Sequence, residues 1–235
     1  MERKLQVQVL DFSGMFARER ALFPEPDRFD FEVWDFTHLG ETMCFCSEDS
    51  ARQIRQRIAE RSSPEAPSGR RVRWIDTGDY HYLTYFFLER QDRPFTLVLV
   101  DHHPDDQPSV FGEDILSCGG WVRTAGERLP LMEEVVHISG DAPADLTSKD
   151  FAGGRIYLSI DKDVLSRDDA RTDWSQGEMR LERLLSILDL FRGADLAGVD
   201  ICGGCTEAKG ATQEDFAVNA RTDDALLKKL ELLFT

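Results

Sequence analysis

Apolar residues in this chain fall into short runs separated by polar turns, and the runs show two different periods. Leu97-Val98-Leu99-Val100 is four consecutive aliphatic residues without polar alternation. That pattern suits a strand covered on both faces, as in the interior of a parallel sheet. Arg155-Ile156-Tyr157-Leu158-Ser159-Ile160 reads as a second such strand. Further strands are expected at 5–12, where Gln6-Val7-Gln8-Val9 alternates, and at 31–36, 41–46, 72–75, 133–139 and 196–201. Helical spacing appears where Ala51, Ile54 and Ile58 follow Ser47, a suitable N-cap. It recurs over 181–191, with Leu181, Leu184, Leu185 and Leu188 on one face and Gly193 as the stop, and over 222–234, with Leu226, Leu227, Leu230 and Leu233. Residues 16–30, broken by Pro24 and Pro26, and 62–69, rich in Ser and Pro, read as connections. Strands and helices alternating over 235 residues predict one α/β domain, 1–235, built on a mostly parallel sheet.

Such sheets carry their sites at the carboxyl ends of strands. The first buried strand ends in Asp101-His102-His103-Pro104-Asp105, and an extended backbone aims Asp101, His103 and Asp105 the same way until Pro104 turns the chain. The second ends in Asp161-Lys162-Asp163, again with two carboxylates at i and i+2. A third run, 72–75, leads into Gly78-Asp79-Tyr80-His81. Four carboxylates brought within a few ångströms repel unless protons or cations neutralise them, and two divalent cations would suffice. Oxygen donors mixed with imidazole suit Mn, Fe or Zn. The same residues have a plainer reading, since acidic groups at strand ends also cap helices. Asp79 competes with His81 as the third segment's donor, and His102 fits an outer neighbour of the site.

Composition narrows the partners. The net charge of −16 argues against a nucleic-acid or anionic-membrane surface. No apolar run reaches membrane-spanning length and Met1-Glu2-Arg3-Lys4 leads into alternating residues, so a cytoplasmic protein is expected. Five cysteines, sparse and odd in number, suit reduced thiols, although Cys44, Cys46, Cys202 and Cys205 could be paired by a structural zinc. After the first acidic box, residues 107–123 are expected to loop over the site, where Gly119-Gly120 allows close backbone approach and Cys118 lacks an evident base partner. Within 166–179 Trp174 is a candidate substrate wall, and His137 reads as a core histidine.

The boxes resemble those of the arginase, or ureohydrolase, superfamily. Asp101, His103 and Asp105 match its Asp-x-His-x-Asp box, and Ser159, Asp161 and Asp163 its Ser-x-Asp-x-Asp box. Gly78-Asp79-Tyr80-His81 matches Gly-Gly-Asp-His loosely, with one extra residue before the histidine. The similarity covers about residues 70–235 and implies a three-layer α/β/α fold. It also implies two divalent metal ions, Mn²⁺ first and Fe²⁺ or Zn²⁺ next. Asp101 and Asp161 would bridge them, with His81 and Asp105 completing one shell and His103 and Asp163 the other. A metal-bound hydroxide would then attack the carbon of a guanidino, amidino or amide-like group. The resemblance breaks where arginases place a glutamate to hold the guanidinium. Here Asp200-Ile201-Cys202-Gly203 offers a glycine, leaving Glu207 as the candidate to fill the gap, and no proton-shuttling histidine follows the first box. The expected partner is therefore a small-molecule or peptide substrate, with arginine in a peptide as one alternative and a non-catalytic metal-binding protein as another. A homo-oligomer stays open.

Overall fold

The computed structural model of the chain describes residues 4–61, 70–108, 115–140 and 146–234. Its elements run β1 (Gln6–Asp11), α1 (Phe16–Arg20), β2 (Asp30–Asp35), β3 (Phe45–Cys46), α2 (Glu48–Arg61), β4 (Arg71–Ile75), α3 (Leu83–Leu88), β5 (Phe95–Val100), β6 (Leu116–Ser117), α4 (Trp121–Arg128), β7 (Met132–Ile138), α5 (Ser148–Phe151), β8 (Arg155–Asp161), α6 (Leu181–Leu188), β9 (Asp195–Cys202) and α7 (Gln213–Glu231). Seven strands form one sheet in the order β2-β1-β4-β9-β8-β5-β7, and every pairing in it is parallel. The expected connection at 62–69 lies outside the described residues, as does part of the loop at 107–123.

The uninterrupted apolar strand is explained by what covers it. Val98 and Val100 join Ile156, Leu158 and Ile160 of β8 in a core under α1, α6 and α7. Leu97 and Leu99 point the other way, into a core with Tyr157, Trp121 and the aromatic helix α3. Both sides are dry, so neither needs polar residues, and each fully buried aliphatic or aromatic side chain contributes roughly 1.5–3 kcal/mol. The result is the expected three-layer α/β/α arrangement.

The structure departs from the sequence reading at several places: α3, α4 and α5 were not expected, and β6 and the start of α4 fall within the expected loop at 107–123. The run 41–46 is extended only at Phe45–Cys46, which pairs with β6, because Glu41 and Cys44 take positive φ of 53° and 62°. The segment 16–30 contains the short helix α1. The terminal helix starts at Gln213, well before 222, held by a capping box between Thr212 and Asp215. Its inward face mixes apolar Phe216, Val218 and Ala220 with polar residues around the middle of the helix, which breaks the apolar spacing upstream of Leu226. Asn219, Thr222, Asp223 and Asp224 are all buried. The Asp223 carboxylate meets the fully buried Lys162 ammonium at 2.9 Å, and Asn219 Nδ2 donates to Glu19 Oε1 at 2.8 Å.

This buried cluster has a pH signature. Burial, reinforced by Asp223 and opposed by Lys162, pushes the Glu19 carboxyl up to about 8. A folded-state value above the unfolded one gives stability that is full below about 4.5 and is lost as pH rises through about 8. Glu19→Gln keeps the acceptor for Asn219 without a titrating proton. Between pH 6 and 9 wild type should therefore lose on the order of 2 kcal/mol relative to the variant, roughly 4–8 °C in Tm. Thermal melts at the two pH values check this, and parallel curves would contradict it.

Candidate metal centre

The three boxes converge at the carboxyl edge of the sheet. Register places Val100 beside Ile160, so the tips of β5 and β8 deliver Asp101 and Asp161 side by side. A single helical turn after β4, Gly78–Tyr80, brings in His81. The extra residue in this box is absorbed by that turn, and His81 Nδ1 lies 3.2 Å from Asp101, 3.1 Å from Asp105 and 3.4 Å from Asp161. Asp79 points elsewhere. It accepts from Trp174 Nε1 at 2.9 Å and Lys209 Nζ at 2.7 Å.

Around the second half of the cluster, His103 Nδ1 is 2.8 Å from Asp163 and 3.8 Å from Asp101. Backbone amides orient the acids: His103 N donates to Asp101 Oδ1 at 2.6 Å, His102 N to Asp163 at 3.1 Å and Asp163 N to Asp161 Oδ1 at 2.9 Å. Asp105 sits at φ +48°, a strained conformation for a non-glycine residue, and accepts from Trp121 Nε1 at 2.7 Å. His102 is exposed, a solvated neighbour.

Among the described residues two donor groups follow the expected shells: His81, Asp101 and Asp105 form one, and Asp101, His103 and Asp163 the other. Asp101 belongs to both. A third group joins His81 and Asp161 to Cys202. None combines Cys202 with Cys44, Cys46 or Cys205, and all five thiols are free, so the structural-zinc reading finds no support among the described residues.

The electrostatics are those of a dry acidic cluster. Burial pushes Asp101 up to about 6 and Asp161 up to about 7, and neighbouring carboxylates add to both shifts. Burial opposes a charge on His81, yet Asp101 and Asp105 hold it well above its ordinary range. The hydrogen bond to Asp163 raises His103 to about 9. Protons here relieve the same like-charge crowding that cations relieve. His81 Nδ1 and Asp101 Oδ2 are nonetheless buried without any hydrogen-bond partner. A buried imidazole nitrogen crowded by three carboxylates, none in good hydrogen-bonding geometry with it, fits a donor set that would touch divalent cations.

These residues line a cavity of about 180 Å³ together with Gly78, Pro104, Gln107, Cys118, Gly119 and Trp174. Trp174 thus stands where a substrate wall was expected, 39% exposed. Burial pushes the Cys118 thiol up, which makes it a poor nucleophile. Glu207 is not in the cavity. It is exposed and pairs with Arg18 at 3.3 Å, so the expectation that it fills the place of the missing glutamate is not met. That place cannot hold a side chain at all: Gly203 has φ +91°, and a Cβ there would run into Asp161 Oδ1 and lie 2.8 Å from the Lys162 nitrogen. Sequence reasoning missed the outer bonds from Trp121 and Ser159. The Ser-x-Asp-x-Asp box contained Ser159, but its partner lies 41 residues away.

No model of a known protein family matches the chain. An uncharacterized protein of Thermotoga maritima is 31% identical over 214 residues, 84% of this chain and 79% of that protein. The structure of a hypothetical agmatinase from Burkholderia thailandensis superposes with a TM-score of 0.66 at 17% identity, over 97% of this chain and 85% of that one. Arginase from Medicago truncatula gives 0.63 at 14% identity, over 97% and 86%. With a parallel seven-stranded sheet whose carboxyl edge gathers the three boxes, and with these likenesses, the chain has the arginase/ureohydrolase fold and belongs to one family with the uncharacterized Thermotoga maritima protein.

Proposed function

We propose that the protein is a dinuclear metal-dependent hydrolase of a non-peptide C–N bond in a guanidino, amidino or amide-like group. The observation that carries this reading is the buried crowding at the base of a cavity lined by four carboxylates, where His81 Nδ1 faces Asp101, Asp105 and Asp161 at 3.2, 3.1 and 3.4 Å without closing a well-formed hydrogen bond to any of them. His81, Asp101 and Asp105 would hold one ion and Asp101, His103 and Asp163 the other, with Asp161 joining Asp101 between them. The mixed oxygen and imidazole donors favour Mn²⁺, with Fe²⁺ or Zn²⁺ as alternatives. Two bound cations would supply Lewis acidity and an activated water. The chain's own residues do the rest: Trp174 walls the mouth, Gly119 lets backbone approach the substrate, and the amides of His102, His103 and Asp163 keep the carboxylates aimed. No described helix is long and apolar enough to cross a membrane. Together with the five free thiols this supports a cytoplasmic protein.

A second reading, hydrolysis of arginine within a peptide, is favoured by one feature. Among the described residues no Lys or Arg lines the cavity to receive the α-carboxylate of a free amino acid. A panel of guanidino, amidino, amide and arginyl-peptide compounds tests both. Mn²⁺-loaded protein should release urea or ammonia from at least one class, and the metal-stripped protein and Asp101→Ala should release none. No turnover of any class with both ions bound would leave a metal-binding protein without hydrolytic activity and overturn the proposal.

A further inference from the structure

Ser159 and Asp200 are register partners on the adjacent strands β8 and β9, so their side chains share a face. Ser159 Oγ donates to Asp200 Oδ1 at 2.6 Å, and the same oxygen lies 2.9 Å from His81 Nε2. Ser159 and Asp200 are 0% exposed and His81 1%. Asp200 is further held by the Tyr157 hydroxyl at 2.9 Å and the Thr84 hydroxyl at 3.0 Å, three hydroxyls converging on one acceptor.

A hydroxyl has a single hydrogen to give. With that hydrogen on Asp200, the Ser159 oxygen can only accept from His81, so Nε2 must carry a proton. In the metal-free protein the facing carboxylates keep a proton on Nδ1 as well; when a metal displaces it and the ring is neutral, Nδ1 is the bare nitrogen, and Nδ1 is the atom that faces Asp101, Asp105 and Asp161. We infer that Asp200 and Ser159 form a relay that fixes the His81 tautomer and turns Nδ1 toward the metal, which makes both of them positioning residues. The inference rests on the dinuclear reading above. It gives a physical role to two buried polar residues that touch neither the cavity nor, directly, an ion. A hydroxyl between carboxylate and imidazole does here what a carboxylate hydrogen-bonded to a ligating histidine does directly.

Calorimetric titration of the stripped protein with Mn²⁺ tests the relay. Ser159→Ala should weaken one of the two sites by about 10–100-fold and leave the other unchanged. Asp200→Asn, which keeps an oxygen for Ser159 but removes the charge, should weaken the same site less. Nitrogen-15 spectra of Zn²⁺-loaded wild type should show His81 with its proton on Nε2 and none on Nδ1, a readout that survives if Ser159→Ala fails to fold. Wild-type affinities for both ions in Ser159→Ala would overturn the relay while leaving the dinuclear reading intact, whereas a proton on Nδ1 in the loaded protein would overturn the relay and also remove His81 from the donor set. Failure of wild type to bind any metal would instead remove that reading, and the relay with it.

Discussion

Asp161→Ala and Asp101→Ala should each abolish metal binding at both positions, lowering both affinities by more than about 100-fold. Groups that only support a ligand from outside cost about 10–100-fold when removed, so loss of a ligand shared by two ions must exceed that. Asp101 contributes to both donor groups, and Asp161 stands 3.4 Å from His81 Nδ1 with its other oxygen held by the Asp163 amide. Asp105→Ala should chiefly weaken the ion beside His81, and Asp163→Ala the one beside His103. Misfolding is a separable outcome. Because burial raises Asp101 and Asp161 to about 6 and about 7, their ionised forms cost the metal-free fold stability as pH rises through those values. Metal-free Asp161→Ala should therefore melt no lower than metal-free wild type at pH 8. Calorimetric titration of the four variants gives the affinities, and an equal loss of one ion in all four would show that the roles are misassigned.

Free arginine should be turned over poorly even with the centre full, with kcat/KM below roughly 10⁴ M⁻¹s⁻¹, the lower end of ordinary enzymes. A buried guanidinium needs a facing carboxylate, best a bidentate one, because an unpaired cation in a dry pocket is expensive. Among the described residues every carboxylate in the cavity belongs to the metal-ligand set, and Gly203 has no room for a side chain. Without the clamp the guanidino carbon is not held in line for attack, and lost positioning can cost orders of magnitude in rate. Steady-state urea release by the Mn²⁺-loaded protein checks this. Efficient turnover of free arginine would show that another residue supplies the missing carboxylate.

Features fixed by short-range pattern are legible in the sequence. Four aliphatics ending at Asp101 announced a strand dry on both faces. The expectation that an extended backbone aims Asp101, His103 and Asp105 the same way is not met. The strand ends at Val100, the chain bends at 102–103 with His103 N turned back onto Asp101, and Asp105 takes positive φ, so the three gather through a turn. What escaped depends on contacts between distant segments. The middle of α7 carries Asn219, Thr222 and Asp223 on its inward face, where Glu19, the carbonyl of Asp169 and Lys162 meet them. Glu207 looked close to the site along the chain, but the turn at 207–209 sends its carboxylate to Arg18 and its neighbour Lys209 to Asp79. Asp200 was visible as a strand residue, yet its bond to Ser159 follows from strand order, which no local pattern encodes. His81 shows the reverse case, since a box one residue too long still delivers its imidazole once a helical turn takes up the slack.

The central claim is that four aspartates and two histidines hold a pair of ions. Elemental analysis of the protein after saturation with Mn²⁺ and removal of loosely bound metal tests it most directly. Close to two ions per chain is the expected result, and one ion or none at saturation would show that the paired site does not exist.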